Sequence, residues 1–309
     1  MNRLKIVFFG TPEFAVPSLN TLIESGEDIK AVVTQPDRPK GRGKVLSSPP
    51  VKQLAEHRGI PVLQPGKLKD SGFLSRLKAL SPDLFVVVAY GRILTKEILD
   101  MPKLGCINLH ASLLPKYRGA SPINWTIING EDITGVTTMM IEEELDAGPI
   151  LLKQVVQIDK KDTAGSLSER LSVIGAGLLI QTIRGIEDAT IRPMPQEGEP
   201  SYAPVLKKAD GRIDWNKGAI ELFNFIRGMN PWPGSFSFLN GERIVILTAD
   251  VMDGRGRPGC IAEVNKGRLI VGTGRELLSI ISVKPEGKRS MDISAFLSGR
   301  DITEGMCFD

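Results

Sequence analysis

Two short segments carry groups that could act on one reacting carbonyl. Residues 106–110, Cys-Ile-Asn-Leu-His, read as a strand. Side chains alternate faces along a strand, so Asn108 and His110 point the same way at its exit. The chain holds only two histidines, and one of them is here. The third group is Asp146, in the Asp-Ala-Gly-Pro turn that separates two strand-like runs. Aspartate is a good turn residue in its own right, and a strand-end histidine can be a satisfied structural group, so a structural reading stands beside the functional one. Together the three suggest acyl transfer. An amide N–H and an imidazole N–H can converge on an oxygen that becomes negative. A carboxylate can orient the ring and help move protons through water. No Ser or Cys is paired with His110 as a nucleophile, and no histidine pair suggests a metal. The pattern fits direct transfer to an incoming nucleophile, without a covalent enzyme intermediate.

The elements that must position these groups are legible around them. Apolar runs at residues 4–9, 29–34 and 84–89 alternate with helical patterns such as PVKQLAEHRG and LSRLKAL. Strands are expected at TGVTTMMIEE and PILLKQVVQI, and the longest helix at SLSERLSVIGAGLLIQTIRGIE. Near-continuous apolar strands between helices predict an α/β fold, Rossmann-like, with a mainly parallel sheet and helices on both faces. Such sheets bind ligands beyond the carboxyl ends of their strands, where His110 falls. Residues 190–208 hold four prolines and little periodicity and read as a linker. Beyond it, one helix and several short alternating runs with Gly-rich turns predict a small OB-like β-barrel domain. The expected division is 1–189, a linker at 190–208, and 209–309.

Composition narrows the class. The chain has 309 residues, 41% of them hydrophobic and 24% charged, as in soluble globular proteins. A net charge of +3 leaves any nucleic-acid contact to a local patch. Cys106, Cys260 and Cys307 are scattered and odd in number, which predicts neither a disulfide framework nor a zinc site and fits a reducing compartment. No signal peptide or membrane span is expected, and a cytoplasmic setting is. Nothing such as a heptad stripe demands association, so a monomer is expected. The start GTPEFAVPSL lacks Gly-x-Gly-x-x-Gly, so a dinucleotide cofactor has no support.

The stretch INLHASLLPKYRG with DAGP downstream resembles the signature of enzymes that take a formyl group from 10-formyltetrahydrofolate. The resemblance implies that Asn108, His110 and Asp146 are the catalytic trio. It also implies that Ser112, Leu113, Leu114 and Pro115 belong to the folate-binding stretch, with no metal required. The other reading of Ser112 to Pro115 is an apolar loop packed on the sheet. Cys106, inside the strand, is expected to pack.

The acceptor must be read elsewhere. Residues 34–52 carry Arg38, Lys40, Arg42, Lys44 and Lys52 among glycines and prolines, against Asp37 alone. This could be a solvated surface loop, or a basic arm suited to phosphates and strand ends. The PDRPKGRGK stretch is similar to the insertion of formyltransferases that act on methionyl initiator tRNA, which implies tRNA binding by Arg38, Lys40, Arg42 and Lys44. RIDW and FIRGMNPWPGSF resemble the start of that family's second domain. There Trp232 is expected in the core rather than as a stacking platform. Lys207, Lys208, Arg212, Arg243, Arg255, Arg257, Lys266 and Arg268 are candidates for a phosphate-facing side. The rivals are a formyltransferase acting on an amino sugar attached to a nucleotide, a hydrolase releasing formate from the same folate, and a non-catalytic tRNA-binding protein.

Overall fold

The computed structural model describes residues 3–40 and 45–309. Its contacts divide it into two compact units. The first holds the chain up to Pro122, Ile133–Gln157 and Ser168–Ala203; the second holds Ile123–Asp132, Ile158–Leu167 and Pro204–Asp309.

In the first unit the strands are β1 (Lys5–Gly10), β2 (Asp28–Val33), β3 (Arg38–Lys40), β4 (Val45–Ser47), β5 (Val62–Leu63), β6 (Leu84–Val88), β7 (Cys106–His110), β8 (Arg118–Gly119), β9 (Ile133–Met140), β10 (Ile150–Gln157) and β11 (Tyr202–Ala203). A seven-stranded sheet runs β10-β9-β7-β6-β1-β2-β5. The five strands from β7 to β5 are parallel, and β9 and β10 add an antiparallel edge beside β7. The strands are apolar because both faces of the sheet are covered: Ile6, Val7, Phe8 and Phe9 are all fully buried along β1. Val7, Phe9, Phe85, Val87 and Cys106 pack with Phe73 and Leu77 of the helix Ser71–Ala79. On the other face, a Cβ at Gly175 in the helix Ala164–Glu187 would meet Leu109 at 2.7 Å, so glycine there lets the helix lie close under β7.

Two smaller pairings were not legible in the sequence. β3 and β4 form an antiparallel hairpin at the root of the basic arm. β8 pairs with β11, which lies inside the proline-rich 190–208 segment; within that segment Met194 also bridges Ile150. The reason is local: prolines spoil periodicity while leaving isolated N–H and C=O groups that still need partners.

The second unit contains β12 (Ser235–Leu239), β13 (Glu242–Met252), β14 (Ile261–Asn265), β15 (Arg268–Gly272), β16 (Leu277–Pro285) and β17 (Met291–Asp292). Its antiparallel order is β12-β13-β16-β15-β14, with β17 beside β16. The helix Ala219–Gly228 contributes Leu222 and Ile226 to a core with Ile244, Leu269, Ile280 and Phe296. The C-terminal segment reaches both edges: Phe308 bridges Leu239 and Cys307 bridges Cys260.

Two expectations are corrected here. Cys260 and Cys307 form a disulfide, although scattered cysteines gave no framework signal; the backbone bridge between them brings the sulfurs together. Trp232 is 51% exposed rather than in the core, because it sits in the turn before β12, between two prolines that keep it out of the strand. Cys106 is free and buried, and burial pushes its thiol up to about 12, which suits packing and not chemistry. No described helix is long and apolar enough to cross a membrane.

Candidate active site

β7 delivers the first two groups. Asn108 pairs with Val87 and Met139 across the sheet, and His110 pairs with Thr137 at the strand's end. Asn108 is half-buried, and among the described residues its side-chain amide makes no hydrogen bond. His110 is 6% exposed. Its Nε2 lies 2.9 Å from the Tyr117 carbonyl oxygen. A carbonyl only accepts, so Nε2 carries the hydrogen and Nδ1 is left to face Asp146. Nδ1 stands 3.7 Å from Asp146 Oδ2, whose side chain is 13% exposed. His110 and Asp146, expected from two distant segments, therefore meet at the carboxyl end of the sheet, with Asn108 two residues earlier on the strand that carries His110.

Two backbone positions carry this arrangement, and both are strained. Asp146 has φ 51° and Tyr117 has φ 60°, the left-handed region that side chains other than glycine avoid. Such residues cost about 1–3 kcal/mol each and persist only where the surroundings over-determine them. The surroundings are visible. The Gly119 N–H donates to Asp146 Oδ2 at 2.8 Å. Gln196 Nε2 donates to the Asp146 and Gly148 carbonyls at 2.7 and 2.9 Å. The Tyr117 N–H donates to Ser201 Oγ at 2.9 Å. Gly119 itself, at φ 120°, has no room for a side chain, since a Cβ would lie 2.7 Å from the Ala203 carbonyl.

Ser112 to Pro115 is mostly interior. Ser112 Oγ donates to the Lys116 carbonyl at 2.6 Å, and the Thr137 hydroxyl donates to the Ser112 carbonyl at 2.7 Å. Lys153 Nζ donates to the Leu114 carbonyl. Leu114 is fully buried, and Leu113 lies against Gly135. The polar groups of this stretch are thus engaged within the protein, where they shape the loop that runs to Tyr117.

The arm is wired differently. Arg38 is exposed and donates to Gln35 Oε1 at 3.3 Å. Lys52 is turned inward onto Asp37 at 2.8 Å, so it is a structural cation. Hydrogen bonds from Gln64 and then Lys52 hold the Asp37 carboxyl below the usual carboxylate range. Arg42 and Lys44 lie outside the described residues, as does the side chain of Lys40. A cleft of about 550 Å³ opens at the ends of β1, β2 and β6, lined by Thr11, Gln35, Arg38, Ser48 and Tyr90 among others. Gln35 is its hub: Nε2 donates to the Tyr90 carbonyl, and Oε1 accepts from Arg92 at 3.1 Å.

In the second unit the basic candidates do not behave alike. Arg243 lies over Phe236 at 3.9 Å, Arg212 faces Phe238, and Arg268 pairs with Glu263. Arg255 shares a notch of about 520 Å³ with Arg275, which sequence reasoning passed over. Among the described residues no cluster of three or more His, Cys, Asp or Glu could hold a metal.

The model of the formyl transferase family matches residues 4–183, and that of its C-terminal domain matches residues 205–301. The methionyl-tRNA formyltransferase of Thermodesulfovibrio yellowstonii is 57% identical over 301 residues, 97% of each chain. The chain belongs to the methionyl-tRNA formyltransferase family. A second relative of the same name, from Pelotomaculum thermopropionicum, is 48% identical over 98% of each chain. Among solved structures, the family's fold is shared by WlaRD, a sugar 3N-formyl transferase determined with dTDP and 5-N-formyl-THF. The TM-score is 0.69 at 20% identity, covering 94% of this chain and 100% of that one, a likeness of fold alone. Sequence reasoning missed Gln196, Tyr117 and Ser201 as parts of the site. Gln196 carried one weak signal, a lone amide in a run of prolines, glycine and acids that otherwise offers nothing to bury.

Proposed function

We propose that this enzyme transfers the formyl group of 10-formyltetrahydrofolate to the free α-amine of methionyl initiator tRNA, with Asn108, His110 and Asp146 as its catalytic residues. The approach of His110 Nδ1 to Asp146 Oδ2, on the strand face that also carries Asn108, is the observation that carries this reading. The α-amine is the nucleophile and the formyl carbon its target. The amide of Asn108, without a partner among the described residues, donates to the developing oxyanion. His110 has its Nε2–H spent on Tyr117, so Nδ1, on the side shared with Asp146, is the atom it presents to that oxygen. Asp146 stabilises the imidazole ring and relays the amine's surplus proton, through water, towards the leaving nitrogen. Ser112, Leu113, Leu114 and Pro115 are assigned to the folate site as its shaped wall, because their polar atoms are already engaged.

Arg38, Lys40, Arg42 and Lys44 are assigned to the tRNA. Arg38 opens onto the cleft at the ends of β1 and β2, a suitable berth for an acceptor end. The functional division follows as catalysis in 1–189, a connection at 190–208, and an OB-like tRNA-binding part in 209–309. The antiparallel order of β12 to β16, with Cys307 and Phe308 bridging both edges, supports that last assignment. A monomer working in the cytoplasm completes the proposal.

The test is direct. The protein is mixed with 10-formyltetrahydrofolate and charged initiator tRNA, or with an amino-sugar nucleotide, and the formylated product is identified. Asn108→Ala and His110→Ala should each lower turnover by about 10²–10³ while tRNA still binds. Turnover near normal in either variant would refute the catalytic assignment.

A further inference from the structure

The segment from Met194 to Ala203 bridges both sides of the site. At one end Met194 pairs with Ile150 at the start of β10, and at the other Tyr202 and Ala203 pair with Arg118 and Gly119. Between these anchors most residues are exposed, and Gln196 is one of the few turned inward. Its amide is fully used. The two N–H groups serve the carbonyls of Asp146 and Gly148, and the oxygen accepts from Arg118 Nε at 3.1 Å and Nη2 at 2.8 Å. Arg118, itself buried, extends Nη1 to Glu144 at 3.3 Å, in the same turn as Asp146. One side chain therefore ties the Asp146 turn to the Tyr117–Gly119 loop. Those two pieces hold the partners of His110: the carboxylate on Nδ1 and the carbonyl on Nε2.

We infer that Gln196 is a positioning residue for formyl transfer, setting the distance between Asp146 and His110 by holding Asp146 in its left-handed conformation. This rests on the assignment of Asp146 and His110 given above. The chemistry of the side chain is specific. Only an uncharged group with two donors and one acceptor can serve two carbonyls and a guanidinium together. A carboxylate would set negative charge against both carbonyls, and an apolar group would leave Arg118 Nε and Nη2 without their acceptor. Ser201 does a smaller version of the same work for Tyr117, through one hydroxyl.

The experiment is a double-mutant cycle on the full chain, with formylation of charged initiator tRNA as the readout. Gln196→Met keeps volume and loses every hydrogen bond. It should lower kcat by about tenfold to a hundredfold, as a displacement near 1 Å at a reacting group does. KM for tRNA and for the folate should stay within about twofold. Asp146→Ala should lower kcat further, and adding Gln196→Met to it should change little, because both act through one carboxylate. Glu197→Ala, an exposed neighbour on the same segment, should be neutral. A Gln196→Met enzyme with normal kcat would overturn the inference while leaving the catalytic assignment intact. A loss that multiplies fully with Asp146→Ala would also overturn it, since it would mark a general structural effect. Normal turnover in Asp146→Ala would instead remove the catalytic assignment itself.

Discussion

The end of β7 and the basic arm, which follows the end of β2, lie beyond the carboxyl ends of parallel strands of one sheet, and they are built on opposite terms. At His110 each ring nitrogen faces a specific group and both neighbouring left-handed residues are held by hydrogen bonds. At the arm, Arg38 reaches solvent with, among the described residues, one long side-chain bond to Gln35, and the one acid, Asp37, is occupied by Lys52, Gln64 and Ser48. The difference fits the work proposed for each. A group that must meet a developing charge needs its geometry settled before the substrate arrives. A cation that must meet a phosphate gains from being accessible, and its energy is long-range and screened by salt.

That contrast can be broken in three places. The largest effect should come from Asp146→Asn, which keeps the shape of the side chain and removes its charge. Turnover is expected to fall by about 10²-fold or more with tRNA affinity nearly unchanged. An equal loss in affinity would show that the two regions are not separate in function. Arg38→Ala should do the reverse, weakening tRNA engagement and leaving turnover at saturation intact. The slope of log affinity against log salt should flatten by about 0.7–0.9 for one lost phosphate contact, measured by filter binding across a salt series. An unchanged slope would take Arg38 off the tRNA.

The smallest effect concerns Asp37. Its carboxyl is held low in the folded state, first by Gln64 and then by Lys52. The unfolded state therefore binds its proton more readily, so the stabilisation is present above the unfolded value and fades as pH falls through the folded one. Asp37→Asn should lower Tm slightly near neutrality, by an amount that vanishes towards the acid end, and so flatten the acid limb of a plot of Tm against pH; the drop is small because the half-buried pair is still screened by solvent. A parallel shift of the whole curve would mean that Asp37 acts by packing instead.

What the sequence made legible follows the same division. β1, β2, β6 and β7 announced themselves as apolar runs because both their faces are buried, and Asn108 and His110 could be placed on one face by alternation alone. Asp146 could be brought near them because a loop between neighbouring strands has a short reach. Gln196 could not, since it meets Asp146 across 50 residues of chain through backbone carbonyls that every residue possesses. The Cys260–Cys307 pair was hidden for a related reason: its partners are joined by a backbone bridge 47 residues apart, with no spacing motif to mark it. Trp232 was misplaced because an aromatic between prolines satisfies a core composition without satisfying a core geometry.

The segment from Met194 to Ala203 has a practical consequence for anyone wishing to move this chemistry to another framework. Grafting residues 105–125 and 142–150 would carry over the three side chains proposed for catalysis. The recipient would still lack the outside brace that keeps two unfavourable backbone turns from relaxing, and the graft would settle into an easier shape with its carboxylate astray. A portable version of this site is three pieces of chain, and the third contains none of the reactive groups.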